Sequence, residues 1–375
     1  MTKVLWLGAA LAMALTIVAI QAPQPDRTTD RGVYEATARQ GIVVDCNDLH
    51  CFRVLVPWLI GRLPGPSAVR WRAYAVAGNV LAALALFQLC LTLGLSRRAA
   101  WLSAVTTAFG FGSLYTLYDS FTSDPLMFLA GPLITNELLH GRIAVAGAMG
   151  VAGVFAKEFA AAPLYAFAGA SALARRWGAA LSAVAAGNLA LIAWALLTLT
   201  LVLRFNYSWG GNESPNISSG AGLVPWLQRQ SARGVASAMF NEFGALYVLA
   251  PIGFFLAPAV LRRLAIAALP IAAVFAYLQQ PDRALWNFHY LIVPMAAVVL
   301  ERAPAPLAWA TVTTFAVGNL RVGAQLPIAP FGRIALVCSV ILAVGSTAAA
   351  LRSGARSAGT MGPVATGLSN MGGAS

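Results

Sequence analysis

The chain has 375 residues, of which 59% are hydrophobic and only 10% are charged, and its mean hydropathy is +0.73. These values lie far outside the usual range of soluble proteins, so they indicate an integral membrane protein and exclude a soluble catalytic domain. The net charge of +12 is then a consequence of membrane topology and does not indicate a nucleic-acid partner.

Apolar stretches long enough to cross the hydrocarbon, at about 20 residues each, recur along nearly the whole chain. They predict an all-α polytopic bundle of about twelve spans, which forms a transmembrane domain over residues 1–351. The predicted spans are 4–22, 73–95, 99–117, 125–139, 143–156, 160–173, 179–203, 243–260, 264–278, 288–300, 307–320 and 334–351. Several are shorter than a full crossing, so tilt or burial in protein must account for the difference.

The short connections between spans predict the orientation of the bundle. The doublets Arg97-Arg98, Arg175-Arg176 and Arg262-Arg263 fall on one face, which carries 11 basic and two acidic residues, whereas the other face carries 14 basic and 11 acidic residues. We assign the doublet face to the cytoplasm, so both termini are expected to be cytoplasmic in a plasma (inner) membrane. Most acidic groups then lie outside, and we expect the chemistry there.

The two ends of the chain carry no predicted chemistry. The first apolar segment follows Lys3 and ends at Ala22-Pro23, as a signal peptide would, but we favour a retained anchor because many spans follow. The tail 352–375 is rich in Gly, Ser and Ala and is predicted to be disordered.

Two long external loops are predicted, at residues 23–72 and 204–242, and such loops are either binding structures or disorder. The first begins with DRTTDRGVYEATARQG. A helical turn there would place Asp26, Asp30 and Tyr34 on one face, since they are spaced four apart. The alternative, favoured by spacing alone, is that Thr29 or Asp30 caps a short surface helix.

The same loop contains two further features. VLVPWLIGRL is apolar but too short to span, and it predicts a helix lying in the membrane interface. Cys46 and Cys51, in CNDLHC, are able to form a disulfide in an oxidising compartment, and the sequence leaves this pairing open.

Charged residues also occur at the external ends of later spans. Asp124 in YDSFTSDP would suit a helix N-cap ahead of Pro125, whereas Asp119 has no such structural role. Lys157 and Glu158 share a short apolar turn, where a simple pairing is the plainest interpretation. A charge turned toward hydrocarbon there would cost roughly 2.5–3.5 kcal/mol, which a polar cavity or a bound anion would offset.

The last external cluster is PDRALWNFHY, which precedes the span 288–300. Aromatic residues at this depth usually form an interfacial belt. His289 is the unusual member, because it is one of only three histidines. Arg283 precedes it at helical spacing. Arg321 ends the span 307–320 on the same side and adds a cation.

Taken in order, these motifs resemble the GT-C superfamily of polytopic glycosyltransferases. The resemblance is carried by an Asp after the first span, a Tyr four residues later, FRVLVPWL, SDPL opening a span, and a Lys-containing turn. Members include protein O-mannosyltransferases, aminoarabinose transferases and bacterial polyprenyl-phosphate sugar transferases. By topology the resemblance covers about residues 1–300.

The resemblance implies a set of roles. The general base would be Asp30, with Asp26 as the alternative; Asp124 matches a carboxylate at the start of the fourth span, and Lys157 matches a lysine near the lipid phosphate. The donor would be a polyprenyl-phosphate-linked sugar and the acceptor a lipid, glycan or protein. With no appended soluble domain, acceptor recognition is expected from the loops or the bilayer.

Transfer of a sugar from a lipid phosphate to a hydroxyl explains why such residues are needed. A carboxylate takes the acceptor proton, and cations stabilise the departing phosphate. Lys157, Arg283, His289 and Arg321 are the candidate cations, with Tyr34, Asp119 and Glu158 as further substrate contacts. Attack from the opposite face would invert the anomeric carbon, in parallel with inverting hydrolases.

Two questions stay open from the sequence. A divalent cation such as Mg²⁺ or Mn²⁺ is an alternative that the acidic residues would allow but that no spacing requires. A transporter or lipid flippase is the main competing function, but the chain shows no internal repeat, and its ionisable residues cluster at one face.

Overall fold

In the computed structural model the protein is α-helical throughout the described residues, which are 2–22, 28–208, 222–278, 281–322 and 331–359. The side chains of residues 28–29, 281–283 and 353–359 are outside that description, as is Asp26. The helices are α1 (Thr2–Gln21), α2 (Thr28–Gln40), α3 (Leu55–Gly61), α4 (Ser67–Thr92), α5 (Arg97–Ala108), α6 (Phe111–Tyr118), α7 (Asp124–Leu139), α8 (Ile143–Val154), α9 (Ala162–Leu173), α10 (Trp177–Phe205), α11 (Leu223–Gln228), α12 (Ala232–Phe243), α13 (Leu246–Leu256), α14 (Ala259–Leu278), α15 (Pro281–Trp286), α16 (His289–Arg302), α17 (Ala305–Asn319) and α18 (Gly332–Gly359).

The all-helical fold is confirmed, and each predicted span coincides with a helix or a pair of helices. Within the described chain, five helical segments are long and apolar enough to cross a membrane: α1, α4, α10, α14 and Gly332–Arg352 of α18. A sixth is obtained if α12 and α13, which meet at 89°, are counted as one. The remaining helices are shorter, so twelve crossings stay a prediction.

The predicted span 99–117 is interrupted between α5 and α6. Gly110 is the N-cap of α6, and the ring of Trp286 packs directly on it. A Cβ at Gly110 would lie 2.1 Å from that ring, so only glycine fits this close approach. The break brings α6, and the Asp119 that ends it, to the same end of the bundle as the start of α7.

The first long loop, predicted at residues 23–72, is folded over this end into a layer of short elements in its described part. After α2, a 3₁₀ turn at Leu49–Phe52 leads into α3. The segment predicted to lie in the membrane interface does form α3, but Val56 and Ile60 are buried because they pack with Tyr34 of α2 and Trp71 of α4. Gly61 allows the close contact, since a Cβ there would sit 2.0 Å from the carbonyl oxygen of Ala38.

The loop is also tied to the end of α10. Asp45 Oδ1 accepts a 2.6 Å hydrogen bond from Asn206, and Asn47 forms an isolated β-bridge with Ser208. Asn206 has left-handed backbone angles (φ 56°, ψ 41°), as is common for a residue ending a helix. Residues 45–47 are therefore held against the C-terminal end of α10.

α7 runs from this layer to the opposite end of the bundle. Its first turn packs closely on α4, because a Cβ at Gly78 would lie 2.6 Å from Pro125 Cβ. α7 begins at Asp124, with Ser123 at the N-cap, so the expected capping role of Asp124 is wrong. The opposite end carries the ion pair of Glu137 with Arg142.

Disorder of the tail 352–375 stays a prediction, and the last described helix, α18, overlaps its start. α18 continues to Gly359, because Ala, Leu and Arg, which dominate its last turns, favour helix.

Candidate active site

A histidine between two carboxylates marks the outer part of the site. Asp48 caps the 3₁₀ turn by accepting from the His50 backbone N–H at 2.8 Å, and its Oδ1 lies 2.7 Å from His50 Nδ1. Asp30, in the first turn of α2, places Oδ1 3.6 Å from the same nitrogen. A carboxylate pair on one imidazole is suited to moving a proton. The sequence identified Asp30 here but missed Asp48 and His50.

The disulfide left open by the sequence is formed between Cys46 and Cys51. It closes the CNDLHC segment into a small loop that contains both Asp48 and His50. A cavity of about 370 Å³ adjoins this loop, between it and α2, and both cysteines and Asp48 line it. The spacing Asp-x-His inside a Cys-bracketed loop is the sequence signal that would have pointed to His50.

Tyr34 connects this histidine to the inner part of the site. Its side chain is buried, and its ring centroid lies 5.6 Å from that of His50 and 5.6 Å from that of Trp71. Burial raises the pKa of the phenol, although the neighbouring Arg53 and Ser123 act in the opposite direction. The hydroxyl lies beside both groups without meeting the geometry of a direct hydrogen bond to either.

Arg53 and Glu158 form a two-point ion pair, 105 residues apart in sequence. Arg53 Nη2 donates to Oε1 at 2.8 Å and Nε donates to Oε2 at 3.2 Å. The side chains are only 9% and 18% exposed. Burial alone would raise the pKa of the Glu158 carboxyl, but the charge and hydrogen bonds of Arg53, with Lys157 adding to them, bring it below its usual value.

Lys157 pairs with Asp124 instead of with its neighbour Glu158. The Lys157 ammonium donates to Asp124 Oδ1, and the two side chains are 5% and 6% exposed. The simple Lys157–Glu158 pairing is therefore wrong. The physical reason is backbone direction: Lys157 is extended (φ −160°, ψ 127°) ahead of a 3₁₀ turn, so adjacent side chains point to different partners. Lys157 binds the start of α7, and Glu158 binds Arg53 of the first long loop.

The turn between α6 and α7 encloses the cluster. Asp119 is 6% exposed and lies 3.5 Å from the hydroxyl of Tyr115, and Ser120, Thr122 and Ser123 are buried beside it. Tyr74 of α4 closes the turn, donating to the Ser123 carbonyl at 3.3 Å and accepting from the Leu126 N–H at 3.2 Å. Polar side chains of this turn and of α4 thus flank Asp124.

The other sequence candidates lie apart from these contacts. His289 is fully buried among rings; it stacks on Trp286 at 5.8 Å and lies 5.7 Å from Phe128. Arg321 donates to the backbone carbonyl of Asn241. The side chain of Arg283 and the whole of Asp26 are outside the described residues.

A divalent cation would need several hard oxygen ligands at one point. Among the residues that the structure describes, no three His, Cys, Asp or Glu side chains are placed to share a metal ion. Asp124 and Glu158 each face a basic partner instead. The described residues therefore provide no cluster of three such ligands for a divalent cation.

Comparisons with known proteins add a likeness of overall shape. The chain is similar to the oligosaccharyltransferase of Archaeoglobus fulgidus in its apo form, at 14% identity and a TM-score of 0.48, over 91% of this chain and 56% of that one. It is also similar to the archaeal oligosaccharyltransferase AglB of Archaeoglobus fulgidus in complex with an inhibitory peptide and a dolichol-phosphate, at 13% identity and a TM-score of 0.46, over 92% of this chain and 56% of that one.

The chain thus spans little more than half the length of these structures. No protein-family model and no curated protein matches the sequence. Both TM-scores lie below 0.5, so the function proposed below rests on the residues of the site and on the order of the motifs.

Proposed function

We propose that the protein is a membrane glycosyltransferase of the GT-C type, which moves a sugar from a polyprenyl-phosphate donor to a hydroxyl of a lipid, glycan or protein acceptor. The observation that carries this proposal is one continuous set of contacts. Asp30 lies against His50, His50 against Tyr34, Tyr34 against Arg53, and Arg53 binds Glu158. Lys157, the second buried cation, is adjacent to Glu158 in sequence and pairs with Asp124, so these contacts support one site that combines the proposed base with two cations.

The chemistry assigned to Asp30 is proton removal. The acceptor oxygen forms a bond to the anomeric carbon as its proton passes to an Asp30 carboxylate oxygen. The bond from the anomeric carbon to the donor phosphate oxygen breaks, and its electron pair stays on the phosphate. His50, between Asp30 and Asp48, orients the carboxylate and supplies a route for the proton out of the site. Attack opposite the leaving group inverts the sugar.

The cations stabilise the departing phosphate. Lys157 carries a compact ammonium group, and Arg53 carries a planar guanidinium group that can bind two phosphate oxygens at once. The two side chains therefore offer different contacts to the same phosphate. Each is already held by a carboxylate, Asp124 or Glu158, which fixes its position before the donor arrives. Preorganised charges of this kind lower the barrier because they need no reorientation during the reaction. No step is assigned to a metal ion.

The first test is Asp30→Asn, which keeps the shape of the side chain but removes the proton acceptor. Transfer of labelled sugar from polyprenyl phosphate in liposomes should fall by about 100-fold or more, while donor binding persists. Asp45→Asn is the matched control, because Asp45 is an exposed acid of the same loop. Full activity of Asp30→Asn would remove the base assignment.

The second test uses Lys157. Lys157→Ala should weaken donor binding as well as turnover, because a cation on the leaving group acts in both the ground state and the transition state. No transfer by the wild-type protein from any polyprenyl-phosphate sugar, together with movement of the lipid across the bilayer, would favour a flippase instead.

A further inference from the structure

A cavity with two arginines in a mostly apolar lining lies at the end of the bundle opposite the proposed active site. It has a volume of about 270 Å³ and is formed where four helices end or begin: α4, α7, α9 and α14. α7 has its first residue, Asp124, in the active site and its last, Leu139, in this cavity. At about 1.5 Å per residue, the 16 residues of α7 separate the two sites by roughly 24 Å.

Two arginines from different connections line this cavity. Arg176 is the N-cap of α10 and is exposed, and Arg263, in the first turns of α14, is half-buried. The buried residue Ser171 also belongs to the lining. Within the described chain, neither guanidinium is part of an ion pair or a side-chain hydrogen bond. Both are therefore available to a ligand.

Three other arginines at this end of the bundle, Arg98, Arg302 and Arg142, make contacts that hold the fold together. Arg98 donates to three backbone carbonyls at the end of α16. Arg302 donates to the carbonyl of Leu256, and Arg142 pairs with Glu137. These cations hold helix ends together, where carbonyls lack partners within the helix. The contrast shows that Arg176 and Arg263 serve no comparable structural contact.

We infer that the cavity binds the phosphate headgroup of an anionic phospholipid. Guanidinium groups bind phosphate oxygens in a two-point geometry, and basic cavities between membrane helices are suited to anionic headgroups. The rest of the lining is apolar and includes Leu93, Leu139 and Phe167, so the glycerol end of a lipid finds compatible contacts. A free phosphate shares the charge chemistry but would leave these apolar contacts unused.

The volume agrees with this assignment. A cavity of about 270 Å³ has room for a phosphate and its neighbouring glycerol. The acyl chains would lie outside it, among the helices. A bound headgroup would join α9 and α10 to α14, since Arg176 and Arg263 would share one anion. This inference is independent of the proposed glycosyl transfer.

The experiment measures thermal unfolding of the purified full chain in detergent during titration with phosphatidylglycerol, phosphatidylcholine or inorganic phosphate. A ligand that binds only the folded state raises the midpoint with concentration. Only phosphatidylglycerol should stabilise the wild type strongly. Its apparent affinity should fall by about fivefold for each arginine replaced by alanine, and so by about 25-fold in Arg176→Ala with Arg263→Ala.

Two variants serve as controls. Arg262→Ala removes an exposed neighbour outside the cavity and should leave the affinity unchanged. Arg176→Lys with Arg263→Lys keeps both charges and should retain most of the binding even if the alanine variant fails to fold. Equal stabilisation by phosphatidylcholine or inorganic phosphate would overturn the lipid assignment, and an equal loss in Arg262→Ala would overturn the assignment to this cavity.

Discussion

Breaking the Arg53–Glu158 pair should destabilise the protein more than removing it altogether. In Glu158→Gln, Arg53 keeps its charge but loses its counterion at a site where its side chain is only 9% exposed. Removing one partner of a buried pair typically destabilises by about 3–5 kcal/mol. Replacing both by apolar side chains, as in Arg53→Met with Glu158→Met, is often neutral or stabilising by about 1–4 kcal/mol. The two hydrogen bonds, at 2.8 and 3.2 Å, make this a well-formed pair.

The assay is equilibrium unfolding of the single and double variants in detergent, combined as a double-mutant cycle. The pair Arg142–Glu137, whose arginine is 55% and whose glutamate is 13% exposed, is the control and should show the smaller coupling energy, because water reaches its arginine. A double variant that loses as much stability as the two single variants together would refute the buried-pair reasoning. So would equal coupling energies for the two pairs.

The pH dependence of the same pair has a definite sign. Because the folded-state pKa of Glu158 is lowered, the pair contributes fully above the ordinary glutamate value of about 4.3. Its contribution is lost as the pH falls through the lower folded-state pKa. The wild type should therefore lose stability on acidification more steeply than the double methionine variant does.

Two further predictions concern topology and packing. In a background without native cysteines, Val44→Cys should react with an impermeant maleimide in intact cells, and Arg97→Cys should react only after permeabilisation. The reason is that the arginine doublets predict a cytoplasmic face for Arg97. Reaction of both cysteines from outside would contradict this orientation. Gly78→Ala should lower transfer activity and cost about 1–3 kcal/mol of stability, because its Cβ would lie 2.6 Å from Pro125 and displace the start of α7. Gly178→Ala, with nothing within 4 Å of its Cβ, is the control, and equal effects of the two alanines in the activity and unfolding assays would contradict the packing explanation.

Much of the fold was predictable because membrane helices are long apolar runs. The segments 125–139 and 143–156, for example, match α7 and α8 to within two residues at every end. The break at Gly110 was not predictable, since no local pattern shows that Trp286, distant in sequence, occupies the space beside that glycine. Apolar composition indicates that a segment crosses the bundle, but a break depends on which side chain packs against it.

The sequence indicated several residues of the candidate site but not which of them form ion pairs with one another. Asp124 and Lys157 were both identified from their positions at the ends of spans, and the structure brings them together. Their pairing was missed because it joins residues 33 apart, and the sequence offered the adjacent Glu158 as the simpler partner. Arg53 was not identified as a site residue from the sequence, because nothing local indicates its contact with Glu158.

The adjacent residues Lys157 and Glu158 bind two separate parts of the protein. Each pairs with a residue of opposite charge, Lys157 with Asp124 and Glu158 with Arg53. With Asp124 and Arg53 they form a set of four whose formal charges cancel. A neutral set exerts little long-range pull on an anion, so under the proposed function a donor lipid would be delivered by its partition into the bilayer and not by electrostatic steering. The same cancellation favours turnover, because the carboxylates compete with the product phosphate for both cations and so promote its release.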